Sequence, residues 1–397
     1  MSDPYGAAGV PNPFPSKAVN HNVNFADAGF LPFGGGNPFF IDPNLRTPYI
    51  YQYNLTVQQQ LVSNLTLEAG YVGNSAHGLT GLTDMNPFPK GGDTRLWDLN
   101  PKFAGQYNFM SQFQNLGHSN YNGLQLDLTK RISDSRFGLT FFTISYTWAH
   151  QIDNESGYRQ RNNFVPFYHH GQFRASGDQD IRNYISLSGG WELPFHKIWE
   201  KAPSLLTKGW SLYPVISWRS GFPLDVLAFP GTGGSMTSPG ASGYGDPQVV
   251  RSDLIAPIQY YDAKNYQTLP GTPGAGSQTG NYWFSPSSFS NAREVQLNKV
   301  AGDNPAAYVN QFTYGSFGRN ALRGPGAFNT DLSLSKHFIF GGGDRGKADL
   351  EFRVDAFNLF NTVRFTNPDT NIGDPNFGQV SNTADPRILQ LALHLKF

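Results

Sequence analysis

The chain has 397 residues, and its 29 Lys and Arg balance 29 Asp and Glu, so the formal net charge is zero. Phosphate neutralisation supplies most nucleic-acid affinity, so this balance argues against nucleic acid as a partner. Cysteine is absent, which excludes a disulfide scaffold, a thiolate metal site and a cysteine nucleophile. Charged residues make up 15% of the chain, against about 25% in soluble domains, and aromatic residues are abundant. The composition is not that of an ordinary cytosolic enzyme.

The hydropathy of the chain excludes a helical membrane protein. The mean hydropathy is -0.41, and no run approaches the length of about 18 apolar residues that a spanning helix needs. Only a barrel of strands could still cross a bilayer. The first twenty residues lack a basic segment followed by an apolar one, so no export signal is visible. We therefore expect the chain to be a truncated piece if the protein is exported.

Alternation of apolar and polar residues is the strongest pattern in the sequence. In YIYQYNLTVQ, for example, Tyr49, Tyr51 and Tyr53 alternate with polar residues. Successive side chains of a strand point to opposite faces, so the pattern predicts strands with one apolar and one polar face. In chain order, the predicted strands are residues 49–60, 65–73, 121–131, 138–149, 181–193, 209–220, 328–338, 347–358 and 388–397.

The connections between the predicted strands alternate in length. The short ones are 61–64, 132–137 and 339–346, the intermediate one is 194–208, and the long ones are 74–120, 150–180, 221–327 and 359–387. A soluble sandwich has no reason to place every long loop at one end, whereas outer-membrane barrels do so. The predicted fold is all-β, an antiparallel transmembrane outer-membrane β-barrel that is partial, with about nine or ten strands and long external loops. Because bacterial barrels have even strand numbers, we expect a further strand within 221–327 or upstream.

Several long segments also resemble one known family. They are IDPNLRTPYIYQYNLTVQQQL, LEAGYVGNSAHGL, SNYNGLQLDLTKR with SYTWAHQIDN, WELPF, GRNALRGPGAFNTDLSLSKHF, EFRVDAFNLFNTVRFTNP, NFGQV and DPRILQLALHLKF. From about residue 41 the chain resembles the Oar-like TonB-dependent transporters, especially the acidobacterial type with a carboxypeptidase-regulatory-like domain. The resemblance implies the carboxy-terminal part of a barrel of about 22 strands that encloses a plug and takes up a ligand. It also implies an inner-membrane energising complex, acting through an upstream region that would hold the plug and signal peptide.

The expected domain division follows from this organisation. Residues 1–48 are predicted to be an external loop or lead-in segment, and residues 49–397 the carboxy-terminal part of the barrel. The sequence contains no GxSxG, HExxH, GxxxxGK[ST] or EF-hand motif, so we expect no enzymatic activity, no cofactor and no metal. The glycine-rich run at 231–236 follows no parallel strand and opens no helix, which favours an external loop over a phosphate cradle.

One loop region gathers imidazoles and carboxylates that could bind a metal. These residues are His150, Asp153, His169, His170, Asp178 and Asp180. Their spacing matches no known site, and a solvated loop is the favoured interpretation. For Asp178, Asp180 and Arg182 the favoured interpretation is a salt bridge that holds the base of the loop.

Two arginines lie among glycines before a later strand. Arg319 and Arg323 in GRNALRGPG could meet an anionic ligand or lipopolysaccharide. The favoured alternative is a structural turn in which the arginines reach carbonyl groups of neighbouring loops.

Aromatic residues lie close to the predicted strand ends, where phenol and indole groups suit the lipid headgroup zone. They are Tyr49, Tyr51, Tyr53, Tyr71, Tyr146, Trp148, Trp191, Trp210 and Trp218. A soluble core or a sugar-stacking platform remains an alternative for them. At the end of the chain, Leu393, Leu395 and Phe397 predict a signal read by the barrel-assembly machinery, the alternative being a buried edge strand.

The predicted function is ligand uptake by the barrel segment of a TonB-dependent receptor or transporter in the bacterial outer membrane. Loops 74–120, 150–180 and 221–327 would capture the ligand, whose identity and contact residues the sequence does not indicate. The expected partners are outer-membrane lipid, the barrel-assembly machinery, the energising complex and the unknown ligand. Two alternatives stay open: a secreted soluble all-β carbohydrate-binding module, and a small self-standing pore.

Overall fold

A single large antiparallel sheet dominates the structure, a computed structural model. It describes residues 39–86, 96–101, 104, 107, 110–154, 156, 173–226, 252–290, 316–341 and 348–397. The path of the sheet consists of nine strands, each paired with the next along the chain. The strands are β1 Tyr49–Val62, β2 Leu65–Asp84, β3 Ser111–Ser135, β4 Gly138–Asp153, β5 Asn183–Glu192, β6 Trp210–Arg219, β7 Ala327–Phe340, β8 Ala348–Phe357 and β9 Ile388–Lys396.

The nine predicted strands are confirmed, but one predicted loop is much too long. The β2–β3 hairpin continues to Asp84 and resumes at Ser111, so much of the expected loop 74–120 is strand. Register shifts between Ala76 and Leu79 and between Leu79 and Gly81 interrupt the ladder there. Bulges of this kind break the period-two pattern, because one extra residue sends the following side chains to the other face. The hairpin extension was therefore invisible to a search for alternation.

The register brings the apolar residues of separate strands onto one common face. One cross-strand row contains Leu55, Tyr71, Leu124 and Trp148, and the adjacent row on the opposite face contains Thr56, Gly70, Gln125 and Thr147. The same phase continues at the other edge, where Leu334, Val354 and Leu391 are aligned. The sheet thus has an apolar face and a polar face, the names used below.

The long connections all lie at one end of the sheet, here called the long-loop end. At the opposite, short-turn end, β3 and β4 are joined by two residues, and β6 is reached through the short helices Phe195–Ile198 and Ser204–Thr207. Gly138 opens β4 with a φ of +90°, and a Cβ there would lie 2.2 Å from the carbonyl oxygen of Glu192. Only glycine adopts this conformation without strain, so Gly138 fixes a tight junction at this end.

The sheet is open, with β1 and β9 as its two edges. All 14 residues of β1 are exposed, as are nearly all of those in β9. An open sheet of this kind agrees with a partial barrel. Residues 39–41 pair in parallel with residues 111–113 of β3, so the described part of the predicted lead-in segment touches the wall. The division at residue 48 stays a prediction.

The loops of the long-loop end contain short strands and turns. The short strands are Phe39–Ile41, Ala175–Ser176, Pro223–Leu224, Asp253–Leu254, Tyr266–Leu269, Gln278–Asn281, Phe289–Ser290 and Leu322–Arg323, and the 3-10 turns are Trp97–Leu99 and Pro286–Ser288. In the described parts of the β6–β7 connection, the short strands pair with one another and none joins the wall. The expectation of a further wall strand within 221–327 is not confirmed in those parts.

Two of these loops share a hydrophobic core. Phe284 and Phe289 of the β6–β7 loop pack edge-to-face on Phe377 of the β8–β9 loop, with ring centroids 5.3 and 5.8 Å apart. Phe317 packs on Phe289 at 5.1 Å, and all four rings are buried. Such edge-to-face pairs stabilise beyond the area they bury, so the two loops form one packed cap.

No helix among the described residues is long and apolar enough to cross a membrane.

Candidate functional site

Aromatic side chains with polar tips border both ends of the apolar face. Where the regular alternation ends on the long-loop side, the Tyr53 and Tyr71 hydroxyls donate hydrogen bonds to Asn122 Oδ1 at 3.1 and 2.7 Å. At the short-turn end, the Trp191 and Trp210 indoles donate to backbone carbonyls, each at 2.7 Å. An apolar ring with a hydrogen-bonded tip suits the boundary between lipid and water. This arrangement accords with the predicted headgroup-zone placement of the aromatic residues.

Lys336 lies in the apolar register of β7, close to the short-turn end. Its ammonium donates a hydrogen bond to the carbonyl of Lys208, beyond the strands, and lies 4.8 Å from the centroid of the Phe338 ring. Long cationic side chains often reach along an apolar surface to a polar edge in this way. The lysine therefore leaves the character of the apolar face unchanged.

Ionisable side chains contact one another on the polar face of the last strands. His337 Nδ1 of β7 lies 3.1 Å from Asp349 of β8, and Arg353 Nε lies 3.0 Å from Asp355 within β8. His394 of β9 lies 3.6 Å from Glu351. Half-buried charges of both signs beside Ser and Gln residues suit a water-filled lumen, as the interior of an outer-membrane barrel requires.

A buried ion-pair network joins two loops at the long-loop end, and we call it the loop anchor. Its members are Asp153, Asp178, Asp180, Arg319 and Arg323. Arg319, whose side chain is 1% exposed, donates to Asp153 Oδ1 at 2.7 Å. It also donates to the Asp153 and Phe173 carbonyls and to Asp178 Oδ1. Several charge-assisted bonds on one guanidinium are what offset the desolvation of a buried charge.

Asp180 is the second centre of the loop anchor. Its carboxylate accepts hydrogen bonds from Arg323 at 2.8 Å, Arg182 at 2.9 Å and the Gln151 N–H at 2.8 Å, and His150 lies 3.2 Å away. Burial raises the pKa of Asp180, but the bonds from Arg323, Gln151 and His150 outweigh it, so this pKa lies below its ordinary value. The carboxylate therefore stays charged and keeps the two loops together at neutral pH.

Two interpretations made from the sequence are confirmed by this geometry. Asp180 and Arg182 form the expected ion pair at the loop base, whereas Asp178 pairs with Arg319 instead. Arg319 and Arg323 reach carbonyl groups of neighbouring loops, as the structural-turn interpretation predicts. What the sequence did not indicate is that these two arginines also pair with carboxylates of the β4–β5 loop. Asp153 and Arg319 are 166 residues apart, and no local signal relates them.

The remaining residues that were considered for metal or phosphate binding lie partly within and partly outside the described residues. His169, His170 and the glycine-rich run 231–236 lie outside the described residues. His150, Asp153, Asp178 and Asp180 belong to the loop anchor or contact it. In the part of the chain that the structure describes, no three His, Asp or Glu side chains are grouped to hold a metal ion.

The chain terminus lies at the short-turn end of the edge strand β9. Leu393 and Leu395 occupy the apolar face, paired with Phe352 and Leu350, and both are exposed, as is Phe397. The structure therefore contradicts the alternative of a buried edge strand. A recognisable apolar strand end is present, and its reading by the assembly machinery stays a prediction.

Together, the apolar face with aromatic ends, the polar face and the one-sided loops define the wall of a membrane-spanning barrel of strands. Comparison with known families agrees: the outer membrane beta barrel domain model matches residues 2–390. The chain belongs to this outer-membrane family, and its location is the bacterial outer membrane. No curated protein matches the chain.

Two solved structures are similar to the chain at low identity. The outer membrane transporter YddB from Escherichia coli is 13% identical with a TM-score of 0.42, and the match covers 90% of this chain and 34% of that one. The ferripyoverdine receptor of the outer membrane of Pseudomonas aeruginosa, bound to ferripyoverdine, is 9% identical with a TM-score of 0.36. That match covers 87% of this chain and 27% of the receptor. The chain thus spans about a third of the length of YddB.

Proposed function

We propose that this chain forms the carboxy-terminal wall of a TonB-dependent, Oar-like outer-membrane transporter that takes up a ligand. The observation that carries the proposal is the in-phase separation of an apolar and a polar face over nine strands, with packed loops at one end only. The segments that resemble the Oar-like family support the finer assignment. Neither feature calls for a catalytic role, and we expect no enzymatic activity.

In this function the loops of the long-loop end face the exterior and meet the ligand first. The β4–β5, β6–β7 and β8–β9 loops are held together by the loop anchor and by the shared aromatic core. Loops fixed in this way offer a surface that loses little entropy on binding. The ligand then passes along the polar face, and an inner-membrane complex supplies the energy.

A self-standing pore is the alternative that a measurement on the chain can separate from this proposal. A complete small barrel would conduct ions steadily in a planar lipid bilayer. We expect no steady conductance from the purified chain, because β1 and β9 are open edges rather than partners. A reproducible unitary conductance would contradict the transporter-wall assignment and favour the pore.

Uptake itself is tested in the organism that carries the gene. Spent medium from wild-type cells and from a strain lacking the gene is compared by mass spectrometry, with and without a protonophore. We expect at least one solute to be depleted only by energised wild-type cells. If the two strains deplete the medium identically, or if depletion survives loss of the membrane potential, energised uptake is wrong.

We further propose that Leu393, Leu395 and Phe397 are read by the barrel-assembly machinery. Their exposed side chains follow one face of the edge strand. Phe397→Ser should reduce the amount of chain assembled in the outer membrane several-fold. Phe360→Ser, which changes an exposed loop aromatic, is the matched control and should assemble normally. Equal assembly of the two variants would remove the signal role while leaving the uptake proposal standing.

A further inference from the structure

A cavity of about 440 Å³ lies against the polar face at the long-loop end. From the wall it is lined by Tyr184, Ser217, Arg219 and Asn329, and from the β8–β9 loop by Arg364 and Thr383. Tyr184 pairs with Thr147 and with Arg219, so it continues the polar row described above. A volume of this size suits a small ligand.

The loop side of the cavity is a paired piece of backbone. Phe365 and Thr383 form an antiparallel bridge. The Thr366 N–H donates to the Asn382 carbonyl at 3.0 Å, and the Ala384 N–H donates to the Arg364 carbonyl at 2.8 Å. These hydrogen bonds hold residues 364–366 against residues 382–384. The backbone that carries Arg364 is therefore fixed opposite the wall.

The two arginines of the cavity differ from those of the loop anchor. Arg219 donates to the Ser220 carbonyl at 3.3 Å and stacks on the Phe222 ring at 4.4 Å. Arg364 donates to the Asp385 carbonyl at 3.4 Å. Within the described residues, neither guanidinium is paired with a carboxylate, whereas Arg319 and Arg323 both are. The nearby Asp331 is already engaged, since it accepts from Asn329 Nδ2 and from the Asn358 N–H. Among the described residues, the cavity thus has two guanidinium groups that are not in contact with a carboxylate.

Two buried polar atoms of cavity residues also lack partners in the described part of the chain. They are the donor Arg364 Nε and the acceptor Asn329 Oδ1. Buried polar groups in native proteins are almost always hydrogen-bonded, so each unpaired group calls for an explanation. Both atoms are buried beneath the lining, so contacts with a ligand fall to the accessible parts of the two guanidinium groups and to the hydroxyl groups of the lining residues.

We propose that this cavity binds a small hydroxylated carboxylate, such as a sugar acid. The planar guanidinium groups match a carboxylate, and the hydroxyl groups of Tyr184, Ser217 and Thr383 in the lining match the hydroxyl groups of the ligand. The aromatic rings of Tyr184 and Phe365 also line the cavity and offer faces for the ring of a sugar. The inference names the ligand class of the proposed uptake function and rests on that function only for the passage of the ligand, not for its binding.

Isothermal titration of the full chain, folded in detergent micelles, tests the proposal with glucuronate as the probe. Glucose has the same hydroxyl pattern without the charge, and inorganic phosphate has the charge without the sugar ring. We expect glucuronate to bind and glucose to bind at least about tenfold more weakly, the cost of losing one charge-assisted hydrogen bond. Phosphate keeps the charge but lacks the ring and hydroxyl groups of the sugar, and it should also bind more weakly than glucuronate. Absence of glucuronate binding, or tighter binding of phosphate or glucose, would overturn the assignment.

Variants connect the binding to the cavity. Arg364→Gln should weaken glucuronate binding about tenfold or more. The control Arg387→Gln changes an exposed arginine of the same loop, which donates to the Leu359 carbonyl, and should bind normally. Asn329→Asp places a negative charge at the wall and should also weaken binding. This second variant still tests the site if Arg364→Gln folds poorly. Equal affinity of all three variants would contradict the site. Binding without energised uptake in cells would overturn the transport proposal alone.

Discussion

The loop anchor shows how single residues hold the exterior of this wall together. Arg319 and Asp153 are both almost fully buried, and their bond closes a separation of 166 residues along the chain. A buried pair of this kind contributes little net stability over apolar residues, but removing one partner is costly because the other charge stays buried. Sequence alone showed the arginines and the carboxylates, but only the folded loops show which ones meet.

Arg319→Gln should therefore loosen the long-loop end. We expect a loss of about 3–5 kcal/mol in local stability, the usual cost of breaking a buried ion pair. Limited proteolysis of the chain in detergent would show this as faster cleavage in the β4–β5 and β6–β7 loops. Arg174→Gln serves as the control, since among the described residues the only hydrogen bond of that exposed arginine is the 3.4 Å one to Asn120. If both variants are cleaved at the wild-type rate, the loop anchor does not hold the loops.

Acid should release the same loops through Asp180. Its pKa lies below the ordinary value in the folded protein, so its contribution is fully present above the unfolded pKa of about 3.9. That contribution is lost as the pH falls through the folded pKa. Pepsin digestion between pH 5 and pH 2, with each rate divided by that for an unfolded substrate at the same pH, should show loop cleavage accelerating only below about pH 4. Accelerated cleavage already near pH 5 would show that the carboxylate of Asp180 is not the controlling group.

Among the elements, the strands were predictable because successive residues of a strand point to opposite faces of the sheet, and the polarity of each residue matches its face. Leu124, Leu126 and Leu128 face one side and Gln125 and Asp127 the other, which the sequence alone shows. The long β2–β3 extension was missed because its bulges break the alternation. The shared core of Phe284 and Phe377 was missed for a different reason, since it depends on how two distant loops fold against each other.

The β3–β4 turn offers a direct test of an element junction. Gly138 and Gly274 have nearly the same φ, +90° and +91°, but a Cβ would clash with the Glu192 carbonyl only at Gly138. Gly274→Ala should cost about 1–2 kcal/mol for the left-handed conformation alone, and Gly138→Ala should cost more. The temperature at which the folded band disappears on a gel measures both. A Gly138→Ala variant that resists heat as well as Gly274→Ala does would contradict the close junction.

Across the whole molecule, the separation of an apolar face from a polar face of the open sheet is the central feature. The family assignment and the bacterial outer-membrane location agree with this architecture. The proposed roles of the loops, the polar face and the cavity with Arg219 and Arg364 depend on this separation. They require one face of the sheet to contact water and the other to contact lipid.

The most direct test measures which residues touch lipid. Because the chain has no cysteine, single cysteines placed in turn at positions 124–128 of β3 can each carry one fluorophore. With the protein folded into vesicles of brominated lipid, we predict strong quenching at 124, 126 and 128 and weak quenching at 125 and 127. Equal quenching at all five positions, or none at any, would contradict a membrane-spanning wall with one face toward lipid.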